Sequence, residues 1–370
     1  MSSSSFSLLL LSLLPFLAQV PSALPFLIVG QGLAGTAVAW RLWEQGLPFL
    51  IVDPDEPQTS SKVAAGLITP ITGMRLNLSW RIDTLLPEAQ TFYEAIEARL
   101  GGRFYHSVPH VRLFKNEREL KIWSTRREDP ALQPWLDSQA PAPLVDPTHV
   151  YGELGGFQQR PAGWLDTAAY LAASREHFKS LGMWLQDTVA EEDLDVSPDR
   201  VRWQGRDFSH VILCRGWLES RGQRYFPWLK FDAARGVIVT LTTTAEFTEH
   251  RILNRGGWML PRPDGTWRAG STYEFDFDRP LETSVEEVRA KLSGLLRTPF
   301  EITSAQAGIR PIIKRYHGAV GSHPRYPRVA VLNGLGSKGV LRSPAFARML
   351  VDHLMDRAPL DAAVDVLSHE

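Results

Sequence analysis

Three glycines carry the clearest chemical signal in this chain. Gly30, Gly32 and Gly35 form a G-x-G-x-x-G turn between an apolar run at 24–29 and an amphipathic stretch that stops at Gly46; a second apolar run then ends on Asp53. That spacing belongs to a βαβ unit able to hold a dinucleotide. Gly30 permits the tight turn off the strand, Gly32 lets a pyrophosphate reach the backbone, and Gly35 lets the helix lie close. Amides freed at the helix start, around Leu33 and Ala34, carry partial positive charge and suit phosphate oxygens. Asp53 is placed to accept hydrogen bonds from ribose hydroxyls, and no Arg follows it to take a 2′-phosphate, which disfavours NADP.

Two further glycine-bearing stretches extend this pattern. Ser60-Ser61 with Ala64-Ala65-Gly66 reads as a helix start of small residues that packs close to a ligand, and the apolar run 211–213 meets Gly216. Near the other end, the strand-like run 329–332 enters Gly334-Leu335-Gly336-Ser337-Lys338-Gly339-Val340. A dinucleotide unit at the start and a second glycine-rich strand-to-helix turn near the end bracket strand-rich material. The tail therefore returns to the first domain and closes over a long cofactor, FAD rather than NAD.

Other chemistries find little support. The 10 His residues show no ligand spacing, and His106 and His110, expected on one side of a strand, lack a third partner, so no metal is expected. Cys214 is the only cysteine, which excludes an intrachain disulfide; its place on a buried strand points to packing rather than covalent flavin attachment. No Ser/His/Asp constellation stands out.

The elements that must position these residues follow from periodicity. Helices are predicted over 85–100, 164–181, 285–296 and 344–354, and strands over 105–114, 201–203, 208–213 and 234–240. A hairpin is predicted from 258–261 through the Asp264-Gly265 turn to 267–273, and 115–149 reads as surface structure. A length of 370 residues with 44% hydrophobic content supports about two folded domains, and a net charge of −1 leaves no electrostatic footprint for nucleic acid. The fold class expected is α/β: a Rossmann-like FAD-binding domain built from discontinuous segments (24–77, 150–228 and 303–365), with a second α+β substrate domain (78–149 and 229–302) holding a mixed or antiparallel sheet. Residues 1–23 are Ser-rich, then Leu-rich, and resemble a secretory signal. They lack a basic start and twin Arg, are interrupted by Pro15, and are too short for a stable membrane span. They are read as a dispensable extension on a cytoplasmic protein, with export or membrane association through 1–23 as the alternative. Asn77-Leu78-Ser79 fits a glycosylation triplet that is common by chance.

Taken in order, these motifs, together with Trp258 to Pro261, Gly270-Ser271-Thr272 and Gly308-Ile309-Arg310-Pro311, resemble the FAD-dependent D-amino-acid oxidase / glycine oxidase family over almost all of the chain after residue 24. The resemblance implies a flavin domain made from three segments and a substrate domain with a large mixed sheet. It implies that Arg310 pairs with a substrate carboxylate, as suits a planar guanidinium fork. It places the turn 334–340 against the flavin ring, where amides and the helix start stabilise charge on the N1–C2=O edge. Trp258 and Tyr273 would line the pocket and position substrate, or serve as core aromatics of the sheet. Arg235 and Lys338 are further candidates for an anionic substrate group, and Met259 is expected to fill core. Trp258 in place of a tyrosine, and Ser337 where some members carry a second arginine, depart from glycine oxidases and leave the substrate open. The activity implied is oxidation of a C–N bond in an amino acid or small amine by hydride transfer to flavin N5, with oxygen or a respiratory partner as acceptor. Two alternatives stand beside it: a tRNA-modifying flavoenzyme of the same fold, and a flavin-binding partner module without turnover.

Overall fold

The computed structural model describes residues 24–369 apart from 222, 223, 314 and 315; the signal-like segment 1–23 lies outside the described residues. Two sheets organise the chain. The first has six strands in the order Trp184–Gln186, Phe49–Asp53, Phe26–Val29, His210–Leu213, Val329–Asn333, Ala319–Ser322. The first five run parallel and the last antiparallel. Phe26-Leu-Ile-Val is buried at every position because both faces of this sheet are covered, the condition under which strands read as continuous apolar runs. Helices Leu33–Glu44, Ile82–Leu100 and Gly339–Leu354 share one apolar cluster on one face. On the other face Trp203, Phe208, Tyr225 and Phe226 pack against Leu27, Val211 and Val331.

The second sheet has seven strands in the order Phe300–Arg310, Ala234–Thr243, Trp267–Gly270, Trp258–Pro261, Ile252–Asn254, His110–Leu113, Gly156–Gln159. It is antiparallel except where Ile252–Asn254 meets His110–Leu113. Its back face packs on helix Leu281–Ser293 through Val239, Leu241, Met259 and Ala269. Its front face meets the first domain through Ile238, Ile252 and Leu260, packed with Val63, Ala65 and Trp164. The α/β class with a separate mixed sheet is the one read from the sequence.

Several stretches differ from that reading. Helix Ile82–Leu100 packs with the first and last helices through Leu86, Ala89, Phe92 and Tyr93, so it lies with the nucleotide side. Strands Gly156–Gln159 and Phe300–Arg310 lie in the larger sheet. The run 105–114 is two strands: Tyr105–Ser107 pairs with Gly163–Leu165, and His110–Leu113 enters the seven-stranded sheet. Pro109, which has no N–H to donate, stands between them. The helix expected at 164 starts at Thr167, where the Asp166 carboxylate accepts from the Ala169 amide as its cap. The closing helix starts at Gly339, ahead of Pro344. Pro344 has no N–H for the Val340 carbonyl, and the Tyr93 hydroxyl donates to that carbonyl instead, at 2.8 Å.

Candidate active site

The nucleotide end is built by close backbone approach. A Cβ on Gly35 would stand 1.9 Å from the Gly30 carbonyl oxygen, so only glycine lets the first helix sit this tightly on the turn. A Cβ on Gly32 would lie 2.9 Å from Ser61 Oγ, and that hydroxyl accepts a hydrogen bond from the Leu33 amide at 3.1 Å. The Ala34 and Gly35 amides have no backbone acceptor among the described residues. Asp53, at the end of its strand, accepts from the Gln31 amide at 2.6 Å through Oδ2 and from the Asp55 amide at 2.8 Å through Oδ1. Its carboxylate is thus held beside the glycine turn. Gly66, at φ +72°, would carry a Cβ 1.9 Å from the Leu165 carbonyl oxygen, and a Cβ on Gly308, in the larger sheet, would stand 3.1 Å from the Ser60 Cα. Helix Ser60–Val63 is a single turn rather than a longer helix, and Ala65 beyond it is buried. Free amides at a helix start, a fixed carboxylate one strand away, and space that side chains would fill are the features a dinucleotide needs.

Sequence proximity missed part of this end. Arg175, on helix Thr167–Ser180, donates from Nε to Gln31 Oε1 at 2.8 Å and from Nη1 pairs with Asp55 at 2.7 Å. Lys62 also pairs with Asp55, at 2.7 Å. An arginine does therefore stand by the second strand, although none occurs in its loop. It is committed to Asp55, and nothing in the local sequence announces it.

The second glycine turn lies where the two domains meet. The Asn333 amide nitrogen donates to the Gly216 carbonyl at 3.0 Å, and the Gly336 amide donates to the Pro311 carbonyl at 3.0 Å, directly after Arg310. Gly334, at φ +73°, sits against the Ile313 side chain. A Cβ on Gly339 would meet Leu33 Cδ1 at 3.1 Å, so the turns at 30–35 and 334–339, some 300 residues apart in sequence, face each other. Val340 is buried and Ser337 is exposed. Lys338 is half-buried. Burial and, after it, the charge of Arg342 lower its pKa to about 8.

Arg310 lies on the front face of the larger sheet. Its guanidinium occupies the space above Gly236, where a Cβ would stand 2.1 Å from Nη2. Nη2 donates to Ser271 Oγ at 3.0 Å, and no carboxylate among the described residues pairs with it. Burial lowers its pKa, with Tyr273 and Glu274 opposing. A desolvated guanidinium with spare donors is a receptor for an anion. Trp258 is half-buried on the same face, its ring 3.1 Å from where a Gly270 Cβ would be. Tyr273 is 54% exposed and 5.7 Å from Arg310 Cζ, so it stands at the rim rather than in the core.

Three other residues fall elsewhere. Arg235 points to the back face, buried and paired with Glu274 at 2.7 Å, so it is not an anion-binding group of this site. His106 and His110 do not share a side: His106 stacks on Trp164 at 4.1 Å, whereas His110 lies in the other sheet against Gln159. No group of three metal-binding side chains occurs among the described residues. Cys214 is buried, and burial pushes its thiol pKa up, so it remains a protonated packing group. No helix among the described residues is long and apolar enough to cross a membrane.

Comparison with known proteins matches this architecture. The sequence profile of the family described as FAD dependent oxidoreductase (DAO) matches residues 26–353. A glycine oxidase of Pseudomonas aeruginosa is 24% identical over 360 residues, covering 90% of this chain and 95% of that protein. The tRNA 5-methylaminomethyl-2-thiouridine biosynthesis bifunctional protein MnmC of Azoarcus sp. is 24% identical over 92% of this chain, which spans 58% of that longer protein. Among solved structures, glycine oxidase from Geobacillus kaustophilus superposes with a TM-score of 0.76 at 19% identity, covering 94% of this chain and 98% of that one.

Ser61→Ala tests the nucleotide end. Loss of the hydroxyl leaves the Leu33 amide without its acceptor, so thermal stability should fall by about 1 kcal/mol. FAD affinity, measured by flavin release on dilution, should fall about fivefold, the fold-change equivalent of that energy.

Proposed function

Because the chain belongs to the DAO family of FAD-dependent oxidoreductases, with FAD as its cofactor, we propose that it oxidises the C–N bond of a small amino acid or amine bearing a carboxylate. The observation that carries this reading is Arg310: a desolvated guanidinium, free of any acidic partner among the described residues, on the face of the substrate sheet that meets the nucleotide domain. Glycine oxidase relatives along nearly the whole chain support it.

The residues expected to hold FAD are those of the two glycine turns and their neighbours. Gly30, Gly32, Leu33, Ala34, Gly35 and Ser61 take the phosphates and Asp53 the ribose. Ser60, Ala65, Gly66 and Gly216 shape the passage. Gly334, Gly336, Ser337, Lys338, Gly339 and Val340 lie toward the ring. Bound FAD supplies a two-electron acceptor. The chain supplies the rest. Arg310 holds the carboxylate with two donors, and Gly236 leaves the space it needs. Trp258 and Ile238 form an apolar wall that excludes water beside the α-carbon. Tyr273 covers the rim. Glu274, the carboxylate whose charge Arg310 feels, is engaged by Arg235 and Arg279 and is not available as a base. An amine that arrives neutral brings its own electron pair, so orientation and desolvation carry most of the catalysis.

The test is anaerobic. The yellow holoprotein is mixed with a panel of amino acids and amines, and absorbance near the 450-nm flavin band is followed. Bleaching by carboxylated amines supports the reading; a flavin that none of them bleaches overturns it. Adding tRNA that bears modified aminomethyl groups covers the tRNA-modifying alternative suggested by the MnmC relatives.

A further inference from the structure

Tyr273 and Phe275 are two large rings left open to water beside Arg310. They are 54% and 64% exposed, and their centroids stand 5.5 Å apart, edge to face. The Tyr273 ring centroid lies 5.7 Å from Arg310 Cζ. The backbone fixes all three side chains on one face of the larger sheet. Glu274, between the two aromatics, bridges to Arg235, and its carboxylate pairs with Arg235 at 2.7 Å on the back face. Alternation along an extended segment therefore sends Tyr273 and Phe275 to the front. The same bridge sets Tyr273 beside Gly236 and Phe275 beside Ala234, and those two residues lie opposite Gly308 and Arg310 on the edge strand. Arg310 and the aromatics thus flank a floor of small residues.

The surroundings of the two rings select their occupant. Asp276 and Asp278 are exposed next to them, and the first cation that follows, Arg279, is paired with Glu274 and Glu287. A phosphate backbone gains nothing from such a surface. Two rings also fall far short of the roughly 800 Å² that a stable protein interface buries on each side. Their size and place match a single side chain. An α-amino acid carries its side chain on the carbon next to its carboxylate, so a carboxylate on Arg310 brings that side chain to the Tyr273–Phe275 pair.

We propose that the substrate is a carboxylated amine with an apolar side chain, best an aromatic one, seated on Tyr273 and Phe275 while Arg310 holds its carboxylate. This rests on reading the site as an oxidase of carboxylated amines. Phe275 is then a specificity-determining residue. A ring laid on the pair removes apolar surface from water and gains the offset or edge-to-face contacts that aromatic groups favour. Glycine has nothing to place there and leaves both rings wet. Phe275 has no group that can exchange a proton, so its effect falls on binding rather than on the chemical step.

The experiment uses the FAD-loaded full chain. Binding of 3-phenylpropionate and of propionate, neither of which has an amine to oxidise, is read from perturbation of the flavin spectrum. 3-Phenylpropionate is expected to bind about 10- to 100-fold more tightly. Anaerobic flavin reduction is then compared for glycine and for both enantiomers of alanine, leucine and phenylalanine. Phenylalanine should half-saturate the reduction at the lowest concentration. Phe275→Ala should cut the preference for 3-phenylpropionate by about 5- to 10-fold, and Phe275→Tyr should keep most of it. Equal affinity of the unsubstituted protein for the two acids overturns the proposal. So does a Phe275→Ala protein that keeps the full preference. If no amine reduces the flavin, the oxidase reading falls, and the ratio of the two acids still decides whether an apolar side chain is seated on the rings.

Discussion

Arg310→Ala should lower kcat/KM for carboxylated amines by about 30-fold or more, because removing one partner of a desolvated charge pair costs about 2–5 kcal/mol. The flavin should remain bound at full occupancy, since Arg310 belongs to the substrate sheet and its bonds run to Ser271 and Thr272, not to either glycine turn. Arg310→Lys should recover only part of the loss, because a point charge cannot reproduce the two-donor fork. Amines without a carboxylate form the control: their turnover should change little. Steady-state kinetics and the ratio of flavin to protein absorbance measure both effects. Full turnover of amino acids by Arg310→Ala would remove the residue from the site.

The second large effect concerns folding and cofactor together. Gly35→Ala introduces a Cβ 1.9 Å from the Gly30 carbonyl oxygen, 3.0 Å from its carbon and 3.3 Å from Ile28 Cγ2. Two of these atoms are backbone, and they belong to the turn that would carry the phosphates. The clash cannot be relieved by rotating a side chain. The helix must lift from the strand, at a cost of about 3 kcal/mol, and the cradle opens as it lifts. The variant should purify without flavin and melt at lower temperature. Gly46→Ala is the comparison: Gly46 has φ +66°, but its Cβ would meet nothing within 4 Å. That change should cost about 1 kcal/mol through backbone strain alone and leave the flavin in place. Equal flavin content in the two variants would show that close helix packing is not what holds the nucleotide.

How much of this is legible in the sequence depends on the range over which a residue acts. The first glycine turn acts within 30 residues, and its backbone geometry is encoded locally. The turn at 334–340 was legible for the same reason, and the fold brings it to Leu33. Arg310 stood out through its motif neighbours, but its partnerless state is a property of the assembled sheet. Arg175 was invisible because its role depends on a helix more than a hundred residues from Asp55. Arg235 was misplaced because strand alternation fixes that neighbours face oppositely, not which face meets the site. Gly236, one residue on, makes room for Arg310, and Arg235 consequently faces Glu274 behind the sheet. Strand ends were the least legible: 105–114 carries one alternating pattern, yet Pro109 hands its halves to different sheets.

The strand order of the smaller sheet has a consequence for synthesis. Phe26–Val29 lies between the strand at 49–53 and the one at 210–213, and the next neighbour inward from the edge is Val329–Asn333. A chain still emerging from the ribosome holds the glycine turn at 30–35 early but lacks the turn at 334–339 that faces it until nearly every residue is made. With the proposed site, cofactor capture should follow synthesis of residues 334–339, and a chain truncated before residue 329 should leave the strand 210–213 with an unpaired apolar edge.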